Sequence, residues 1–210
     1  MKQEESSNLN SNSYETIKIG NQIWMSKNLN VNNYRNGDQI PEISDEESWK
    51  NLKTGGRCHY ENKKENGIYY GKLYNWYAIS DTRGLAPEGF HIPSFNEWNT
   101  LISFFKDKIE ASEKLKSKIG WGLLKGWEEI AKHQEENNSN EFNALPGGAR
   151  YFHDSEMYGW SSFGFLGTDC NFWSSTKECF HINIGNDTNG GVGIGSDYED
   201  SGFSVRCIKD

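Results

Sequence analysis

Three carboxylates crowd a short stretch near the C-terminal end, Asp197, Glu199 and Asp200, with Asp187 upstream. A calcium ion takes about 6–8 oxygen ligands, mostly carboxylates and backbone carbonyls. Asp197, Glu199 and Asp200 are therefore the candidate metal ligands of this chain. The plainer reading of the same segment is a solvated loop, and the spacing favours the loop.

Just upstream runs Gly190-Gly-Val-Gly-Ile-Gly195. It opens no helix and lacks Gly-Lys-Ser/Thr, so it does not read as a phosphate cradle. A calcium-binding nonapeptide array needs several stacked copies, and here one copy stands alone with Gly195 where a ligand Asp belongs. The run reads as a strand flanked by turns. The five histidines, His59, His91, His133, His153 and His181, form no H-x-x-x-H or H-E-x-x-H pair, so the spacing offers no zinc site. Cys58 and His59 are adjacent, and strand neighbours point to opposite faces. Adjacency thus argues against a nucleophile–base contact. No G-x-S-x-G elbow occurs, and the expectation is that the chain is not an enzyme and carries no cofactor.

Aromatic side chains are the remaining chemistry. Flat amphipathic rings give contact area at low entropic cost. Trp160 and Tyr158, in Met157-Tyr-Gly-Trp-Ser-Ser, and Tyr198 are the candidates for ligand contact, with Asp187 and Asp197 beside them. Trp24, Trp76, Trp98 and Trp173 fall inside regular elements and read as core.

Those residues must be positioned by a chain of 210 residues, a length suited to one domain. Only 34% is hydrophobic, yet 14% is aromatic, which argues against disorder because disordered chains are poor in rings. The net charge of −8 and the lack of a basic stripe exclude a nucleic-acid partner. No run approaches the about 18 apolar residues of a membrane helix, and Met1-Lys-Gln-Glu-Glu leads into no apolar signal core. Four cysteines, Cys58, Cys170, Cys179 and Cys207, form no C-x-x-C pair. They suit either buried free thiols or a disulfide set in an oxidising compartment, and four cysteines allow three pairings.

Residues 1–13 are polar and patternless, a flexible leader, and residues 14–210 read as a single domain. Thr16–Ile19 and Gln22–Met25 flank Gly20-Asn21, a hairpin signal. Residues 30–67 read as a long surface excursion with a short helix near 45–52. Residues 73–79 suit a helix slightly better than a strand. Ser94 and Glu97 form a capping box, and Trp98, Leu101, Ile102 and Phe105 then make one apolar helix face. A second helix is expected over 108–118 and an acidic insertion over 128–141. Beyond Ala144 come short strands near 149–152, 163–166, 172–175, 180–184, 192–194 and 202–208, expected to pair antiparallel. Helices first and strands second give an α+β domain.

Six phrases then stand in order: Gly20-Asn-Gln-Ile-Trp-Met-Ser-Lys-Asn-Leu29, Tyr70-Gly-Lys-Leu-Tyr-Asn-Trp-Tyr-Ala78, Leu85-Ala-Pro-Glu-Gly-Phe-His-Ile-Pro-Ser94, Ala144-Leu-Pro-Gly-Gly148, Phe172-Trp-Ser-Ser-Thr176 and Gly202-Phe-Ser-Val-Arg-Cys207. Together they resemble the Fibrobacter succinogenes major paralogous domain family. The chain departs in Phe90, where many members carry Trp, in Ala86, where some carry Cys, and in a longer charged segment at 121–141.

The resemblance implies a C-type lectin-like domain, with two main helices flanking antiparallel sheet and long loops. It implies that the 16–25 hairpin pairs with the last strand. It also implies a Cys58–Cys207 bridge, leaving Cys170 and Cys179 as a local pair or two thiols. The setting it implies is secreted or cell-surface, an outer-membrane lipoprotein of Bacteroidetes-like bacteria. Residues 1–13 would then be the spacer from a lipid anchor, the protein's one link to a membrane. The Glu-Pro-Asn, Gln-Pro-Asp and Trp-Asn-Asp signatures of calcium-dependent lectins do not occur, so sugar binding does not follow from the resemblance. The function expected is a non-catalytic binding module that presents loops at about 154–171 and 185–201 to a glycan or a host or bacterial surface protein. The alternatives are a structural subunit of a surface appendage and, behind it, a polysaccharide-acting enzyme.

Overall fold

Thr16–Ile19 (β1) and Gln22–Met25 (β2) alternate short β-formers around Gly20, whose φ of +58° lets the chain reverse. They form the antiparallel hairpin expected, with Ile19 opposite Gln22 and Thr16 opposite Met25. The computed structural model describes residues 14–122, 141–151, 162–178, 180–185 and 191–210. The expected leader at 1–13 lies outside them.

Five α-helices follow among the described residues. Glu46–Lys50 (α1) starts at Asp45, whose carboxylate accepts from the Ser48 amide. Lys64–Tyr70 (α2) and Trp76–Ile79 (α3) are short, α3 being capped by the Asn75 side chain on the Ala78 amide. Phe95–Ser103 (α4) carries the full Ser94–Glu97 capping box and buries Trp98, Leu101 and Ile102. Asp107 caps Lys108–Leu115 (α5). Each cap satisfies an amide that the first helical turn leaves without a partner.

Arg57–Cys58 (β3) and Leu73–Tyr74 (β4) pair as a small antiparallel ribbon. Phe90–His91 (β5) joins the last strand, Ile208–Lys209 (β11), which also pairs with β2 through Ile208 and Trp24. The resulting sheet has the order β1-β2-β11-β5, so the first and last strands lie close together. The second sheet is built from Gly147–Arg150 (β6), Phe163–Leu166 (β7), Asp169–Trp173 (β8), Phe180–Gly185 (β9) and Val192–Ser196 (β10), in the order β10-β9-β8-β6-β7. Residues 202–204 stitch the parts together, bridging Arg150, Tyr74 and Phe172 in turn. The chain is therefore α+β, with antiparallel pairing dominant.

Four expectations need correction. Leu73 and Tyr74 are strand, and the helix begins only at Trp76, because their main chains pair with Arg57 and Cys58. The 30–67 excursion is not all surface: Tyr34, Ile40, Trp49 and Cys58 are buried and anchor it. One pairing of the second sheet is parallel, at Gly148 and Cys170. The chain reverses from β6 into β7 and again into β8, so β8 arrives on the free side of β6 running in its direction. The fourth concerns the thiols. Cys58, Cys170 and Cys207 are free and buried, so the Cys58–Cys207 bridge is not formed. Cys58 packs with Trp49, Tyr60 and Leu73, whereas Cys207 packs with Met25, Trp173 and Val205 in a different cluster. Cys170 faces Ile184 across the ladder, and Cys179 lies outside the described residues. Burial pushes the Cys58 thiol up to about 11 and that of Cys207 up to about 12.

Rings fill the two main clusters. Trp24, Trp98, Phe142 and Phe172 stack in one, and Trp76, Trp173, Phe203 and Tyr151 in the other. Arg206 is buried near their boundary. Its guanidinium lies over the Phe142 and Phe172 rings and donates to the carbonyls of Met25, Phe142 and Asn143 and to Asn28 Oδ1.

Candidate functional site: the face around the last loop

Residues 196–201 leave β10 and return to the core through a turn, in which the Ser201 amide donates to the Tyr198 carbonyl at 3.0 Å. Asp197 closes that turn. Its Oδ1 accepts from the Tyr198 amide at 2.7 Å and from Ser201 Oγ at 2.6 Å. Glu199 reaches α3 twice: its carbonyl accepts the Trp76 amide at 2.9 Å, and its Oε2 accepts the Tyr77 hydroxyl at 2.7 Å. The Asp200 carbonyl accepts the Trp49 indole N–H at 2.5 Å. The loop is thus pinned to α1 and α3, while the Tyr198 ring stands 57% exposed at its tip. Lys53 adds a cation 5.7 Å from the Tyr77 ring centre.

The proposed metal ligands divide among these tasks. Asp197 closes the turn, Glu199 holds Tyr77, and Asp200 is buried against α1. Among the described residues no group of three or more His, Cys, Asp or Glu side chains is placed to hold a metal ion. Trp160, Tyr158 and Asp187 lie outside the described residues.

Beside the loop, one face of β8 and β9 is polar. The register sets Asp169 opposite Gly185, Asn171 opposite Asn183, and Trp173 opposite His181. On the edge strand β10, Gly193 faces Asn183 and Gly195 faces His181. Asp169, Asn171, Asn183 and His181 therefore share a face with three glycines and with the buried Trp173, while Cys170, Phe172, Ile182 and Ile184 point into the core on the other. Asn183 Nδ2 donates to Asp169 Oδ1 at 3.0 Å and to Asn171 Oδ1 at 2.9 Å. Thr168 Oγ1 donates to the other Asp169 oxygen at 2.7 Å. His181 lies on the Phe203 ring with centres 4.8 Å apart. Burial lowers its pKa, and the charge of the Asp197 carboxylate opposes that shift.

A second titratable group sits away from this face. His91 Nε2 is 2.7 Å from Glu97 Oε1, and its Nδ1 is 2.8 Å from Asp210 Oδ1. The imidazole clasps the start of α4 to the last residue. Glu97 is already committed to the cap of that helix, so this triad holds structure together.

Sequence reading named Asp197 and Tyr198 as candidates, weighed His181 only as a zinc ligand, and did not single out Asp169, Asn171 or Asn183. Their signal was the alternation Asp-x-Asn-x-Trp against His-x-Asn-x-Gly, visible only once the two strands are set in register. Comparison with known proteins adds one match: residues 17–209 fit the model of the Fibrobacter succinogenes major domain. No curated protein and no solved structure matches the chain.

Proposed function

The chain belongs to the Fibrobacter succinogenes major domain family, and we propose that it is a non-catalytic binding module of a bacterial surface, presenting its last loop and the adjoining polar face to a glycan or a surface protein. One observation carries the reading: an exposed tyrosine at the tip of a loop whose backbone is tied down at Trp49, Trp76 and Ser201. A preformed loop loses little conformational freedom when it binds. The carboxylates of Asp197 and Glu199 are engaged in shaping the loop, which suits recognition better than acid–base work. Two features support a C-type lectin-like fold: the N-terminal hairpin pairs with the last strand through β2, and α3 and α4 pack beside sheet. Secretion or attachment through a lipid anchor belongs to the same proposal.

Glycan arrays and pull-downs of surface proteins with wild type and Tyr198→Ala test it. Ligand capture by wild type, weakened about tenfold or more in the variant, is the expected result. Blank arrays together with blank pull-downs would remove the reading. A second reading, an interaction subunit of a surface assembly, draws on the adjacent Ile68 and Tyr69 of α2, 78% and 70% exposed. Sedimentation that shows self-association abolished by Ile68→Ser with Tyr69→Ser would favour it.

A further inference from the structure

We propose that the polar face of β8, β9 and β10 is a hydroxyl-recognition site, and that its ligand is a neutral carbohydrate. The inference rests on the binding-module reading and names the ligand class and the residues that read it. Its logic starts at Asp169. An ionised carboxylate only accepts hydrogen bonds, so the Asn183 atom 3.0 Å from Asp169 Oδ1 must be the amide nitrogen. That nitrogen also meets Asn171 at 2.9 Å, so the Asn171 atom there must be its carbonyl oxygen. One carboxylate thereby orients both amides. Asn183 Nδ2 spends both of its protons, and its Oδ1 remains an acceptor. Asn171 Oδ1 is occupied, and its Nδ2 is left with two protons to donate.

Among the described residues those protons have no partner. Asn171 is 1% exposed, and its Nδ2 is a buried nitrogen without a hydrogen bond. The buried Nδ1 of His181 on the same face is also unpartnered. Leaving such groups unsatisfied is costly, and unsatisfied polar groups in folded proteins call for an explanation such as a functional role. The partner positions in the ladder carry no side chains of their own. Across from Asp169, Asn183 and His181 stand Gly185, Gly193 and Gly195 in turn. At Gly185 a Cβ would fall 2.6 Å from Asp169 Oδ1 and 2.9 Å from Asn183 Oδ1. At Gly195 it would fall 3.0 Å from His181 Cε1, whereas at Gly193 it would make ordinary contact at 3.5 Å with Asn183 Cβ. The polar side chains therefore lie over the glycines, and β10 contributes backbone rather than bulk.

The chemistry selects the ligand. Donor Asn171 Nδ2, acceptor Asn183 Oδ1 and the His181 ring nitrogen form an alternating set fixed in position by strands. A sugar hydroxyl is both donor and acceptor, so neighbouring hydroxyls match such a set. Asp169 and Asp197 disfavour an anionic ligand. A peptide added alongside the edge strand β10 would use backbone groups and leave the side-chain ladder idle.

The test is binding of the purified chain to immobilised neutral oligosaccharides (homo-oligomers of glucose, galactose, mannose, xylose and N-acetylglucosamine), read by surface plasmon resonance. Asn183→Ala removes the acceptor and releases Asn171. Gly193→Val, at the one glycine with room for a Cβ, covers the face with a strand-forming residue and keeps the variant set informative if Asn183→Ala is unstable. The expected result is a loss of at least about tenfold in both variants, with melting temperatures near wild type for Gly193→Val. A blank panel would overturn the inference. So would binding unchanged by both variants, or recognition of an extended peptide in their place. Binding that survives both but falls in Tyr198→Ala would leave the binding-module reading standing and remove this site alone.

Discussion

The indole N–H of Trp49 donates to the main-chain carbonyl of Asp200 at 2.5 Å, tying the first helix to the last loop across 151 residues of sequence. Trp49 is itself sandwiched against the Arg150 guanidinium, 4.5 Å from its ring, and Arg150 donates to the carbonyls of Ile43, Ser44 and Asp45 around the start of α1. Replacing Trp49 with Phe keeps a ring but removes the donor. The buried carbonyl then loses that bond, at about 1–3 kcal/mol. Hydrogen exchange at residues 197–201 should accelerate in this variant more than exchange in β8 or β9. Uniform change across the chain would show that the loop is not held locally.

Arg206 should be far less replaceable. It is fully buried, and its hydrogen-bond acceptors are neutral, the carbonyls of Met25, Phe142 and Asn143 and the Asn28 amide oxygen. Burial lowers its pKa to about 10, still leaving it charged at neutral pH. Arg206→Met fills similar volume but strands several buried acceptors, and should cost more than about 3 kcal/mol in a urea melt. A loss below about 1 kcal/mol would show that those carbonyls find other donors.

The two glycines of the edge ladder should respond differently to one methyl group. Gly185→Ala drives its Cβ against Asp169 and Asn183 and should lower stability by about 1–3 kcal/mol. Gly193→Ala has ordinary clearance and should be neutral or slightly stabilising, since it loses less backbone freedom on folding. Equal effects in thermal melts would mean that the polar side chains do not lie across the glycines as described.

His91 makes a prediction with a sign. Burial by itself would push its pKa down, but the hydrogen bonds and charges of Glu97 and Asp210 more than reverse that, leaving it raised. A group whose folded pKa exceeds its unfolded value of about 6.5 binds more protons when folded. Its stabilisation is therefore fully present below pH about 6.5 and fades as pH rises through the folded pKa. The gap in unfolding free energy between wild type and His91→Gln should be larger at pH 6 than at pH 9. A gap that grows with pH would contradict the clasp.

The thiols offer a simple chemical check. Cys58, Cys170 and Cys207 are free, buried and held as thiols by their pKa values. Iodoacetamide should leave all three unmodified in the folded protein and alkylate them in urea without added reductant. Resistance to alkylation in urea that reductant relieves would restore the disulfide expectation.

The capping residues and the ring-bearing scaffold were legible in the sequence because their signals are local. Ser94 with Glu97 marks the start of α4 within four residues, and the Gly20 turn marks its hairpin. The buried anchors of the 30–67 segment were not legible. Tyr34, Ile40 and Trp49 stand singly in polar surroundings, and only tertiary contacts show that each is covered. The same limit hid the ladder. Asn171 and Asn183 become one unit only through a register that no short window contains, and the bonds of Asp197 to Tyr198 and Ser201 exist only in the folded turn. The disulfide inference failed for a related reason, since Cys58 and Cys207 belong to separate packing clusters.

The central claim is that the pinned loop and its exposed tyrosine present a ligand-binding surface without turning the ligand over. Surface plasmon resonance of wild type and Tyr198→Ala on one and the same captured glycan or surface protein tests it most directly, with the eluted ligand analysed for cleavage. Specific binding by wild type, at least about tenfold weaker in the variant at equal melting temperature, with the ligand recovered intact, is the predicted result. Equal binding by the two proteins, or a cleaved ligand, would contradict it.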